Sequence, residues 1–193
     1  MAKKSKVCDL LVDTVLPDLQ DIWYRSKKSG RETGITMCYA PKSRRVRVTN
    51  LCQGDECSID IPAPDCLSRE VRASVHTHPN MGLAQQSIDD IKVGLHDNLR
   101  FMCSIANDTG AMLCIEGHDK VPSHVGARTT LRELNQGYDQ LYDDLEYLEE
   151  KEGDTGVDRS YEEQAYLVLH QFLDRHPELS SCRVRVPERR RRR

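Results

Sequence analysis

Long hydrophobic runs are missing from this sequence. No apolar stretch approaches the roughly 20 residues that a transmembrane helix needs, which excludes a membrane span of that kind. The basic first residues lead into residues 7–13, where aspartates interrupt the apolar positions, so we expect no secretory signal. With 38% apolar and 31% charged residues, the composition is that of a soluble protein, which we expect in the cytoplasm.

No internal repeat divides the chain, and its 193 residues suit one core domain with an extension. We expect the core domain over residues 7–124, a helical hairpin over residues 125–178 and a disordered, arginine-rich tail over residues 179–193. In the predicted helix over residues 128–151, leucine and tyrosine recur at alternating spacings of three and four. These residues would form one apolar stripe along the helix. The stripe indicates either packing on the chain's own core or a contact with a second copy or another partner.

Eight cysteines are many for a cytoplasmic chain and few for a disulfide scaffold. In the absence of a secretory signal, we expect most of them to be reduced. Cys38, Cys103 and Cys114 lie in apolar, strand-like segments and should be small buried hydrophobic residues. Cys52 and Cys57 have the spacing of half a structural zinc site, but no second close pair follows, so we do not expect one.

Hydrophobic periodicity predicts an α+β fold. Residues 6–15 are apolar enough for a short strand or a helix, and a helix then begins at Pro17 and ends before Gly30. Strand patterns follow over residues 34–40, 45–49, 57–62, 71–76, 100–106 and 111–117. We expect a mixed, mainly antiparallel sheet flanked by helices, with a C-terminal helical extension.

Two histidines at a predicted strand end carry the strongest chemical signal. His76 and His78 are two residues apart, so in a strand their imidazoles point to the same face. Pro79 ends the strand, and Asp90 follows in the first turn of a helix that Ser87 is expected to cap. Two imidazoles and a carboxylate are an established donor set for catalytic zinc, which keeps a fourth position for water. The same residues also fit an ordinary strand end and helix start, so spacing alone leaves both interpretations open.

Residues 76–79, His-Thr-His-Pro, and residues 87–90, Ser-Ile-Asp-Asp, resemble the motif of the JAMM (MPN+) zinc metalloproteases. The loop between the two halves is one residue longer than is usual in that family. The resemblance covers about residues 7–120 and implies an MPN/JAB domain, which is α/β/α-like and related to the cytidine-deaminase fold. It implies that Zn²⁺ is held by His76, His78 and Asp90, with Asp89 as the alternative carboxylate if the helix is rotated.

The family also has a catalytic glutamate upstream of this motif. Glu32 begins the segment Glu-Thr-Gly-Ile, which matches the family pattern except at Ile35, where the family has a second glycine. The resemblance therefore implies that Glu32 is the general base, and Glu70 and Glu56 are the alternatives. It also implies that Ser87 stabilises the developing oxyanion, in addition to capping its helix.

By this resemblance, the protein hydrolyses amide or isopeptide bonds and removes ubiquitin or ubiquitin-like modifiers from proteins. Residues 52–64 could offer a sheet edge to an extended substrate. The second hypothesis is a non-enzymatic MPN scaffold, against which the intact ligand positions argue. The third is a nucleic-acid-associated protein, because the five terminal arginines attract phosphates. Arginines that contact phosphates do not distinguish one base sequence from another. The rest of the chain is acidic, so nucleic acid is not the expected partner.

Overall fold

The computed structural model describes residues 6–55, 59–60, 62, 65–79, 84, 90–91, 99–117, 132, 136–137, 140, 167–176 and 179–188. Most of the predicted helix over residues 128–151 and of the predicted hairpin lies outside the described residues, although residues 132, 136–137 and 140 are described and helical. Within those residues, no helix is long and apolar enough to cross a membrane.

Helix α1, Val7–Ser29, is one element with a kink near its middle. Val15 has non-helical angles of φ −129° and ψ 24°, two residues before Pro17. A proline inside a helix lacks an N–H donor and its ring clashes with the preceding turn, so the chain bends there. The predicted start at Pro17 is therefore the start of the second half of α1. Gly30 ends the helix with φ 68°, and its N–H donates to the Ser26 carbonyl at 2.8 Å.

The described part of the chain forms one mixed sheet. Its strands are β1 Thr33–Ala40, β2 Arg45–Gln53, β3 Val71–His78, β4 Phe101–Ala106, β5 Ala111–Gly117 and β6 Leu179–Arg185. The six strands lie in the order β2-β1-β3-β4-β5-β6, and β3 pairs with β4 in parallel while all other neighbours are antiparallel. This confirms the α+β fold with a mixed, mainly antiparallel sheet, and it places β3 in the interior of that sheet.

An apolar core covers each face of the sheet. Helix α1 packs on one face, where Leu19 and Ile22 are fully buried. On the other face, a helical segment over residues 167–175 contributes Phe172 and Leu173 to a second cluster, so this part of the predicted extension belongs to the fold's core. With both faces covered, side chains at the end of β3 are sheltered from solvent.

Two segments differ from the sequence prediction. The expected disordered tail begins with β6, because Leu179–Arg185 pairs antiparallel with β5. Buried Cys182 alternates there with exposed Arg183 and Arg185, and the arginines conceal the period-two pattern of a half-buried edge strand. The predicted strand over residues 57–62 is also wrong where it can be compared, since residues 59, 60 and 62 have no regular structure.

Three disulfides join described cysteines, so the expectation of mostly reduced thiols was wrong. They are Cys8–Cys182 between α1 and β6, Cys38–Cys66 between β1 and the segment before β3, and Cys103–Cys114 between β4 and β5. The predicted burial of Cys38, Cys103 and Cys114 is confirmed, because all three are fully buried. The disulfide between Cys103 and Cys114 depends on strand register, because the two residues are direct partners in the pairing of β4 with β5. Cys52 is a free thiol among the described residues.

Candidate metal centre

The end of β3 presents His76 and His78 on one face of the sheet. Successive side chains of a strand alternate between faces, so residues two apart point the same way. The Nε2 atoms of the two rings are 2.9 Å apart, and the ring centroids are 4.8 Å apart. The two residues are only 3% and 5% exposed. The side-by-side imidazoles that the spacing predicts are therefore present, and they are shielded from bulk water.

Asp90 meets both histidines. Its Oδ1 lies 3.1 Å from Nε2 of His76, and its Oδ2 lies 3.5 Å from Nε2 of His78. Burial raises the pKa of Asp90, but the attraction and hydrogen bonds of His76 and His78 outweigh it and hold the pKa well below its usual range. The next residue, Ile91, is buried in the second core cluster and anchors the backbone beside Asp90. The carboxylate is thus ionised and directed at both rings.

These three side chains have the geometry of a metal site. A metal ion bound tetrahedrally at about 2.1 Å separates its ligand atoms by about 3.4 Å. The three contacts among His76, His78 and Asp90 measure 2.9, 3.1 and 3.5 Å. If no cation lay between the rings, one Nε2 would have to donate to the other while both face a carboxylate. The donor set and its spacing therefore fit a shared metal ion.

Glu32 immediately precedes β1, the strand next to β3. Two residues further on, Gly34 is the register partner of His76. The Glu32 N–H donates to the Asp55 carbonyl at 2.6 Å, and the Glu32 carbonyl accepts from the Gly54 N–H at 2.9 Å. Two backbone hydrogen bonds therefore hold Glu32, next to the strand that carries His76 and His78.

The environment of Glu32 shifts its acidity into the physiological range. Burial raises its pKa to about 7 from an ordinary 4.5. The charge of His78 opposes this increase, and the carboxylates of Asp90 and Asp55 add to it. Glu32 is therefore within electrostatic reach of the metal-ligand cluster. A carboxyl group with a pKa near neutrality can accept and return a proton at physiological pH.

Thr77 connects the two strands that carry the site, and sequence reasoning gave it no role. It lies between the two histidines but points to the opposite face, where it is fully buried. Its Oγ1 accepts from the Thr33 N–H at 2.9 Å and donates to the Thr33 carbonyl at 3.2 Å. A polar residue between two ligands was visible in the sequence, but its partner on β1 could be found only from the strand pairing.

Gly34 allows β1 and β3 to approach closely beside His76. A Cβ at this position would lie 3.1 Å from the Val75 carbonyl oxygen and 3.2 Å from both the His76 Cβ and the Ile59 Cδ1. These distances are tighter than ordinary van der Waals contact. The glycine that follows Glu32 and Thr33 therefore has a packing reason in this chain.

Glu70, the first alternative base, does not reach the site. Its carboxylate pairs with Arg47 at 2.8 Å and accepts the Leu67 N–H at 3.0 Å. Hydrogen bonds from Arg47 and Leu67 lower its pKa. Glu70 also precedes β3 at the end opposite to the histidines. The other residues named from the sequence, Ser87, Asp89 and Glu56, lie outside the described residues.

Two other groups of potential ligands occur in the described part of the chain. They are Cys8 with Cys114 and Cys182, and Cys38 with Cys66 and Glu70. Every cysteine in both groups is part of a disulfide, so these sulfurs are not ligands in this structure.

Comparisons with known proteins identify no relative. No protein-family model matches the chain, and neither a curated protein nor a solved structure matches it. A functional assignment therefore depends on the geometry of this site and on the resemblance of its motif.

Proposed function

We propose that this protein is a zinc-dependent metallopeptidase that hydrolyses amide or isopeptide bonds. The observation that carries the proposal is the convergence of His76, His78 and Asp90, with Glu32 just before the adjoining strand β1. Two imidazoles and a carboxylate suit zinc, whereas magnesium and calcium select oxygen ligands. When bound, zinc polarises a carbonyl group and lowers the pKa of water towards neutrality.

Glu32 handles the proton in this proposal. In the zinc-free protein, burial raises the pKa of Glu32 to about 7. With zinc bound, the Glu32 carboxylate would take the proton of the attacking water and later give it to the leaving amine. Two hydrogen bonds fix the Glu32 backbone, and Gly34, two residues further on, pairs with His76, which supports this role. The role of Ser87 as an oxyanion donor is carried over from the motif resemblance alone.

The substrate class also comes from the resemblance. It implies conjugates of ubiquitin or of a ubiquitin-like protein, which present a lysine isopeptide bond on an extended tail. A cytoplasmic location is part of the same proposal.

Cleavage of isopeptide-linked ubiquitin dimers by purified, zinc-loaded protein tests the proposal. We expect the wild type to cleave and a chelator to stop it. Glu32→Gln should bind zinc as the wild type does, yet cleave at least about 100-fold more slowly, because it lacks only the base. Glu70→Gln is the matched control and should be unaffected, since Glu70 pairs with Arg47 far from the ligands.

The scaffold hypothesis predicts a different outcome. A zinc-loaded wild type that leaves isopeptide-linked dimers, ubiquitin-like conjugates and unfolded peptides intact would contradict the peptidase proposal and favour a non-enzymatic interaction module.

A further inference from the structure

Ser104 is the immediate neighbour of His76 on the side away from Glu32. β3 and β4 run in parallel, and His76 and Ser104 are register partners. Laterally paired residues of a sheet point to the same face, so Ser104 shares the face of the metal-ligand cluster. It is fully buried, although neither the motif nor the proposed chemistry uses it.

The Ser104 hydroxyl binds the segment that connects the ligands. Its Oγ donates to the Ala84 carbonyl at 3.0 Å. Ala84 lies between His78 and Asp90 in the chain and is only 4% exposed. A buried carbonyl without a donor is costly, so this hydrogen bond contributes to holding the backbone at Ala84 against β4.

We propose that Ser104 is a positioning residue for the metal centre. It fixes the middle of the connecting segment, and Ile91 fixes its end in the second core cluster. Together they determine where the Asp90 carboxylate lies relative to the two imidazoles. The inference deepens the proposed function, because it depends on a metal ion bound at this site.

Metal affinity depends on Ser104 because Asp90 and the two histidines lie on different segments of the chain. Asp90 is a ligand only while its backbone stays within reach of residues on a different element. If Ala84 is released from β4, the segment samples other positions, and the fraction of molecules with a complete ligand set falls. The apparent metal affinity falls by the same fraction, even though every ligand is still present.

Zinc titration in competition with a chromogenic chelator tests this inference. Ser104→Ala should weaken zinc binding about tenfold, the lower end of the usual effect of residues that orient ligands. Ser180→Ala is the matched control, because Ser180 is a buried serine on β6 whose hydroxyl has no hydrogen-bond partner in the described part of the structure. We expect that control to bind zinc as the wild type does.

Hydrogen exchange of the zinc-free proteins gives a second measurement that needs no metal. Peptides containing Ala84 should exchange faster in Ser104→Ala than in Ser180→Ala or the wild type. A folded Ser104→Ala with wild-type zinc affinity and wild-type exchange would overturn the positioning role. A wild type that binds no zinc would instead overturn the proposed function, so the two failures can be told apart.

A pair of variants covers the case in which Ser104→Ala does not fold. Ser104→Thr keeps the hydroxyl and Ser104→Val has the same shape without it, so zinc affinity should be lower in Ser104→Val than in Ser104→Thr. Equal zinc affinities in these two variants would overturn the inference.

Discussion

The side chain of Thr77 forms two hydrogen bonds with the backbone of Thr33. Oγ1 accepts the Thr33 N–H at 2.9 Å and donates to the Thr33 carbonyl at 3.2 Å. Thr77 lies between the histidines of the metal centre, and Thr33 follows Glu32. This pair therefore links the strand that carries the two candidate ligands to β1, which begins just after the proposed base, from the face opposite to the site.

Replacing Thr77 by valine keeps its shape and removes both hydrogen bonds. We expect Thr77→Val to lower the free energy of unfolding by about 1–3 kcal/mol, since two buried backbone groups of Thr33 lose their partner. Peptidase activity should fall about tenfold or more through displacement of Glu32, while zinc affinity changes less. Denaturant unfolding and kcat measurements check this, with Thr77→Ser as the control that keeps the hydroxyl. Equal activity in the valine and serine variants would count against the link.

The raised pKa of Glu32 predicts a pH-dependent stability in the zinc-free protein. Burial raises the pKa to about 7 from 4.5, so the folded state holds this proton more tightly than the unfolded chain. The stabilisation that protonated Glu32 gives the folded state is fully present below about pH 4.5 and is lost as the pH rises through about 7. Relative to Glu32→Gln, the wild type should therefore lose on the order of 3 kcal/mol of stability between these limits.

Urea unfolding of both proteins at several pH values in the presence of a chelator measures this difference. Glu70→Gln provides the contrast. Hydrogen bonds lower the pKa of Glu70, so the contribution of Glu70 to stability is lost only as the pH falls. Stability curves of the wild type and Glu32→Gln that run parallel across this range would show that Glu32 is not perturbed.

The close approach of β1 and β3 at Gly34 predicts a sensitive position. Gly34→Ala places a Cβ 3.1–3.2 Å from the Val75 carbonyl and the His76 Cβ, so β3 must shift beside a candidate metal ligand. We expect a loss of about 1–3 kcal/mol in unfolding free energy and weaker zinc binding. Gly30→Ala is the control: it is strained by its positive φ but has open space around the added atom, so stability alone should fall. Identical zinc affinities in the two variants would argue against this packing role.

The disulfide Cys8–Cys182 connects the start of α1 to β6, across 174 positions of the chain. Closing so long a loop restricts the unfolded chain, so Cys182→Ser should lower the unfolding free energy by up to about 5 kcal/mol. Cys52→Ser, which removes a free thiol, should have little effect. Peptide mapping without reductant should recover the Cys8–Cys182 pair. Recovery of both as free thiols would contradict it, and because disulfides are rare in the cytoplasm, the result also bears on the expected compartment.

Local patterns predicted much of the sheet. The segments expected as strands over residues 71–76, 100–106 and 111–117 correspond to β3, β4 and β5, whose apolar runs are bounded by turn residues. The pairing of His76 with His78 also followed from strand alternation, which is a local property. The position of Asp90 beside both histidines was expected from the two-part pattern of residues 76–79 and 87–90.

What the sequence could not provide depends on contacts between distant segments. The strand β6 was missed because exposed arginines conceal its alternation, and because its pairing with β5 and its disulfide to α1 are contacts with distant parts of the chain. The disulfide between Cys103 and Cys114 requires the register of two strands. The roles of Thr77 and Ser104 likewise depend on which backbone group lies opposite each hydroxyl, and composition and periodicity do not contain that information.

Metal content of the purified protein tests the central claim most directly. The claim is that His76, His78 and Asp90 form one metal site, so the wild type should contain about one zinc ion per chain after exposure to zinc. His78→Ala and Asp90→Ala should lose it, while His170→Ala, which changes a histidine on the helical segment over residues 167–175, should keep it. A wild type that binds no zinc, or a His78→Ala protein that retains a full equivalent, would contradict the account.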